Sequence, residues 1–127
     1  MDMKLELVMV PVTDVDRAKE FYVRAGFVAD HDQTVSEEVR FVQLTPPGSA
    51  CSIAIGRGLT QMEPGSLDNL QMVVADADAT KADLVERGIE VRGVEDLAWG
   101  RFVHFEDPDG NGWALQELPD YSAQGQV

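Results

Sequence analysis

The residues best suited to chemistry gather near the C-terminal end, in Phe105-Glu-Asp-Pro-Asp-Gly-Asn-Gly-Trp-Ala-Leu-Gln-Glu117. Asp107, Asp109 and Asn111 alternate and Gly112 follows, which is how an oxygen-ligand calcium loop begins. Such a loop needs a bidentate glutamate at its twelfth position, and counted from Asp107 that position is Leu118. It also needs helical flanks, whereas both flanks here alternate like strands. Pro108-Asp109-Gly110 has instead the chemistry of a tight hairpin turn, with proline early and glycine where φ is positive. Just upstream, His104 is the side chain whose ordinary pKa suits acid–base catalysis, and Glu106 lies beside it in sequence. The plainer reading of His104 is a half-exposed strand histidine bonded to a neighbour. His31, between Asp30 and Asp32, reads as a surface residue. Cys51, the single cysteine, has no base beside it and cannot form an intrachain disulfide. Gly56-Arg-Gly58 is too short to be a phosphate loop, and no serine nucleophile elbow is visible.

Composition narrows the classes. A chain of 127 residues, 44% hydrophobic, suits one domain or two small fused units with a core that needs no disulfide. The formal net charge of −13 argues against nucleic acid, because phosphate contacts need clustered Lys and Arg. It also argues against an anionic membrane surface and fits attraction of a cationic ligand. The apolar start, residues 1–12, is broken by Asp2, Lys4, Glu6 and Pro11, so it reads as neither signal peptide nor membrane span. A cytoplasmic protein is the expectation.

The elements that must position these groups follow from periodicity. Residues 5–12, 27–34, 39–45 and 51–56 read as strands, and Asp14 caps a helix with Val15, Ala18, Phe21 and Tyr22 on its apolar side. The order recurs: strands at 70–75, 89–94, 101–106 and 112–118, and a helix capped by Asp76 with Ala79, Ala82, Leu84 and Val85 apolar. Asp14/Asp76, Asp16/Asp78, Lys19/Lys81, Val23/Val85 and Gly26/Gly88 match at one offset of 62 residues. Caps and stop glycines are common signals, but a shared element order at a shared offset indicates duplication. The expected fold is α+β: two tandem βαβββ modules at 4–56 and 69–118, joined by a linker at 57–68, in a single domain spanning 1–127. A flexible tail is expected at 119–127. Neither module can bury both faces of a four-stranded sheet with one helix. The expectation is helices on the outer side and a cup, lined by the remaining faces, for a ligand.

Val12-Thr-Asp-Val-Asp-Arg-Ala-Lys-Glu-Phe-Tyr22, Gly26-Phe27 and Phe105-Glu-Asp-Pro-Asp-Gly-Asn111 carry a family resemblance, joined by Pro46-Pro-Gly-Ser49 and Trp113-Ala-Leu-Gln-Glu117. Over residues 4–118 the chain resembles the vicinal oxygen chelate superfamily of glyoxalase I, bleomycin-resistance proteins, extradiol dioxygenases and fosfomycin-resistance enzymes. The resemblance implies fold more than function, since unrelated chemistries share that fold. In metal-using members, two ligands lie on the first strands of the modules, seven residues before the helix caps. Two more lie on the last strands, one of them three residues past the Asp-Pro-Asp-Gly-Asn turn. Carried onto this chain, those positions are Leu7, Asn69, Ala54 (to within a residue) and Ala114. Three of the four have no donor atom, so the resemblance implies a branch without the usual metal and with no cofactor.

Alternation then gives the expected lining of the cup. Leu7, Met9, Phe41 and Phe102 supply apolar surface. Gln43, Ser52, Asn69, Gln71, Gln116 and His104 supply hydrogen bonds, Ala54 and Ala114 add small surfaces, and Val73 shares the side of Gln71. Trp99 either caps the cup or folds onto the core. Such a lining suits a partly polar organic molecule bound by a homodimer without metal, as in the bleomycin-resistance branch. The alternatives are a metal-free cyclase, isomerase or lyase using His104, and a metal-dependent lyase or dioxygenase with other ligands.

Overall fold

The computed structural model describes residues 1–120; most of the expected tail, residues 121–127, lies outside them. Two compact units are present. The first comprises Met1–Leu67 together with Asp107–Asn111, and the second comprises Asp68–Glu106 and the chain from Gly112 onward.

The first unit contains β1 (Leu7–Met9), α1 (Val15–Arg24), β2 (Val28–Thr34), β3 (Arg40–Thr45) and β4 (Ser52–Arg57). Its sheet runs β1-β4-β3-β2, with β1 parallel to β4 and the other pairs antiparallel. The carboxylate of Asp14 accepts from Arg17 N at 3.0 Å and starts α1. Gly26, at φ +113°, ends it: Gly26 N bonds Val23 O and Phe27 N bonds Tyr22 O, the paired bonds of a left-handed helix stop. Val15, Ala18, Phe21 and Tyr22 are buried, as expected, on the side of the sheet that carries Val42, Leu44, Ile53 and Ile55. β1 is shorter than residues 5–12 suggest, because Pro11 has no N–H to continue the ladder.

The second unit repeats the plan with β5 (Leu70–Val74), α2 (Ala77–Glu86), β6 (Arg92–Leu97), β7 (Gly100–Glu106) and β8 (Gly112–Glu117), in the order β5-β8-β7-β6. Both helices have ten residues, and α2 starts 62 residues after α1. Asp76 caps α2 through Ala79 N at 3.0 Å, and Gly88 ends it as Gly26 ends α1. Two expectations shift here. The strand expected at 89–94 begins later, as β6 at Arg92, because Ile89 is spent on the helix stop: its N–H bonds Leu84 O and its side chain is buried. The apolar side of α2 is also narrower. Ala77 and Leu84 are buried, whereas Ala79, Ala82 and Val85 are exposed.

One ion cluster occurs in both units. Arg40 bonds Asp32 of β2 at 3.0 and 2.9 Å and Asp16 of α1 at 2.8 Å. Arg101 bonds Asp96 of β6 at 2.8 Å and Asp78 of α2 at 2.7 Å. Each arginine ties the helix to the outer strands on the helix-bearing side of its sheet.

The Asp107–Asn111 turn is a polar latch within the first unit. Buried Asp107 accepts from Tyr22 Oη at 2.7 Å, Asn111 Nδ2 at 2.8 Å and the backbone N–H groups of Asp109 and Asn111. Asn111 also donates to Pro11 O at 2.8 Å and accepts from Leu67 N at 3.1 Å. Asp109 accepts from the hydroxyl and N–H of Thr13. Gly65 passes so close that a Cβ there would lie 2.1 Å from Asp109 O. These carboxylates are occupied by protein donors, which gives the alternating acidic spacing a structural role.

Candidate functional site

Each sheet has one face against its helix and one face away from it, and register assigns every side chain to one or the other. In the first sheet, Leu7 pairs with Ser52, Met9 with Ala54, Ala54 with Gln43, and Phe41 with Gly56. Leu7, Met9, Phe41, Gln43, Ser52 and Ala54 therefore share the open face, as the alternation indicates. In the second sheet, Gln71 pairs with Ala114, Ala114 with His104, and Gln116 with both Val73 and Phe102. Gln71, Val73, Phe102, His104, Ala114 and Gln116 likewise share one face.

Two expected residues stand apart. Asn69 precedes β5 rather than lying within it and adopts a left-handed backbone, φ +58°, so strand alternation does not fix its side chain. Trp99 occupies the two-residue turn between β6 and β7 and is 59% exposed, so it does not fold onto the core. Its contribution to the site is its backbone carbonyl, which accepts from Gln116 Nε2 at 2.7 Å. Gly100 makes this approach possible: a Cβ there would lie 2.6 Å from Glu117 O and 3.1 Å from Gln116 Cγ.

The polar groups on both faces are linked. In the first sheet, Gln43 Nε2 donates to Ser52 Oγ at 3.3 Å, Ser52 Oγ lies 2.7 Å from Thr45 Oγ1, and Thr45 donates to Asp30. In the second, Gln71 Nε2 donates to Gln116 Oε1 at 2.6 Å. Ser52, Ala54, Phe102, Ala114 and Gln116 are buried, so the floors of both faces are shielded from solvent. His104 stacks on Phe102, with ring centroids 6.1 Å apart and planes 13° from parallel. Among the described residues no hydrogen bond engages the His104 ring, and Glu106 does not reach it.

Sequence reading missed several residues of these faces. β2 pairs His31 with Gln43 and Gln33 with Phe41, placing His31 on the open face although it is exposed. A register shift between Ala29 and His31 lets Asp30 reach Thr45. In the second sheet Arg92 pairs with His104 and Glu95 with Phe102. Only strand pairing reveals these neighbours; no local pattern marks them.

Residues 4–115 match the Glyoxalase/Bleomycin resistance protein/Dioxygenase superfamily. The chain belongs to this superfamily. Among solved structures of the superfamily fold, it is 38% identical to TnmS3, an antibiotic binding protein from Streptomyces sp. CB03234, with a TM-score of 0.83 over 93% of this chain and 98% of that one. A glyoxalase/bleomycin resistance protein from the same organism is 39% identical, with a TM-score of 0.77 over 89% and 99% of the two chains. The uncharacterized protein YetH of Bacillus subtilis (strain 168) is 27% identical over 117 residues, 87% of this chain and 94% of that protein.

Metal-using members of the superfamily set the donor test. Leu7, Ala54 and Ala114 lie on the open faces and offer only carbon, and Asn69 is a single amide outside its strand. Among the described residues no three His, Cys, Asp or Glu side chains gather as ligands. This donor set does not fit a catalytic divalent ion, which takes several imidazole or carboxylate ligands. No helix among the described residues is long and apolar enough to cross a membrane.

Proposed function

We propose that this protein binds a partly polar organic molecule on the open sheet faces and retains it without chemistry and without a metal. The observation that carries this reading is the makeup of those faces: aliphatic and aromatic floors, small Ala54 and Ala114, and neutral amides already oriented by neighbours. Neutral amides orient a ligand but neither take nor give protons readily at neutral pH. The similarity to TnmS3 supports an antibiotic-like ligand. The net charge of −13 supports a cationic or weakly basic one. A homodimer is proposed with it, supported by exposed apolar side chains such as Val73, Leu97 and Trp99, and the cytoplasm is the proposed compartment.

A thermal-shift screen of antibiotics and related heterocycles tests the reading. A stabilising compound recovered chemically unchanged after long incubation, with stability indifferent to EDTA, is the expected result. Turnover of the compound refutes sequestration. If that turnover disappears in His104→Ala while affinity persists, the histidine is the acid–base group of an enzyme.

A further inference from the structure

Both polar chains on the open faces have a fixed direction. In the first sheet the chain ends on Asp30, and a carboxylate only accepts. Thr45 therefore spends its hydrogen on Asp30. Ser52 must then donate to Thr45, and with its hydrogen used it can only accept from Gln43, through Nε2. In the second sheet the chain ends on the carbonyl of Trp99, which also only accepts. Gln116 must turn Nε2 toward it, leaving Oε1 to accept from Gln71 Nε2. Among the described residues, Gln43 Oε1 and Gln71 Oε1 receive no hydrogen bond. In each unit, an acceptor at the root of the chain fixes an amide whose carbonyl oxygen is left for something else.

We infer that Gln43 and Gln71 are specificity-determining residues that select ligands presenting a hydrogen-bond donor, an O–H or N–H on the ring system, over otherwise equal ligands presenting acceptors alone. Thr45, Ser52 and Gln116 are positioning residues that keep the two amides from flipping. This inference rests on the small-molecule-binding reading and adds the polarity of the ligand. An amide free to rotate can bring either its oxygen or an N–H to a given point, whereas a locked one presents only its oxygen there. A ligand acceptor placed against a locked carbonyl finds no donor and loses its bond to water.

The test uses 2-naphthol and 2-methoxynaphthalene, which share a ring and differ in one donor, titrated into the 15N-labelled full-length protein. Wild type should bind the naphthol at least about fivefold more tightly, the size of one net hydrogen bond. The largest side-chain amide shifts should fall at Gln43 and Gln71. Thr45→Val is nearly isosteric and releases Ser52 to donate to Gln43, which can then turn its amide over. Gln116→Leu frees Gln71. In the double variant the preference should collapse to within about twofold, because the freed amides can turn an N–H toward the ether and its affinity rises. If Thr45→Val does not fold, as judged by its thermal unfolding, Ser52→Ala breaks the same chain. Equal binding of both probes by the wild type, or a preference that survives the double variant, overturns the inference and leaves small-molecule binding standing. Failure of either probe to shift any open-face residue overturns the inference together with its premise.

Discussion

Asp107 shows how a residue chosen for its chemistry becomes a structural one. Its carboxylate is buried, 4% exposed, and takes four donors, two from side chains and two from the turn backbone. Removing it strands all four. Asp107→Ala should therefore lower unfolding stability by about 3–5 kcal/mol, the range for breaking a buried charged network. Tyr22→Phe keeps the ring packing against Phe21 and Phe27 and removes one charge-assisted bond, so about 1–2 kcal/mol is expected. Urea unfolding of both variants checks the pair; equal losses contradict the network. The turn itself was legible in Pro108-Asp109-Gly110, because proline and glycine act locally. Its partners were not, because Tyr22 and Pro11 lie 85 and 100 residues away in sequence.

At the scale of elements, the arginine clusters fasten each helix to its strands. The Arg40 side chain is 12% exposed and makes a two-pronged contact with Asp32, so Arg40→Met should cost about 1 kcal/mol. Arg101, at 36% exposed, is better solvated, and Arg101→Met should lose less. The Arg40 guanidinium, then the Lys19 ammonium, hold Asp32 well below the usual carboxylate range by hydrogen bonding. A carboxylate whose pKa is depressed on folding stabilises the fold above its unfolded value, roughly 4, and loses that contribution as pH falls through its folded value. The stability gap between wild type and Asp32→Asn should thus be constant from neutral pH to about 5 and shrink below roughly 4. Urea midpoints against pH measure it, and a gap that widens on acidification refutes the assignment. Helix starts and stops were readable here, since Asp14, Asp76, Gly26 and Gly88 act within one turn. The apolar side of α2 was not: Ala79, Ala82 and Val85 have the right spacing, yet only Ala77 and Leu84 find a sheet to cover.

At the scale of the whole molecule, the two repeats in the sequence do not coincide with the two compact units. The Asp107–Asn111 turn comes from the second module of the sequence but belongs to the first compact unit. A fragment of residues 1–67 lacks Asp107, which accepts from Tyr22 Oη, and Asp109, which accepts from Thr13. It should show no cooperative thermal unfolding by near-ultraviolet circular dichroism, whereas the full chain should. A fragment that melts cooperatively refutes this dependence.

The sequence alone determined the family, the two βαβββ modules, the helix caps and the alternation that sorts Leu7, Met9, Phe41, Gln43, Gln71, Phe102, His104, Ala114 and Gln116 onto open faces. All of these follow from period, propensity and local turn chemistry, which a chain carries in its order of residues. Only the tertiary structure decided that His31, Asp30, Arg92 and Glu95 join those faces, that Trp99 contributes a carbonyl rather than a ring surface to the core, and that each chain of amides and hydroxyls leaves one amide oxygen without a donor among the described residues. The physical reason is that a hydrogen-bond chain takes its direction from its terminal acceptor, and strand pairing brings that acceptor from elsewhere in the sequence.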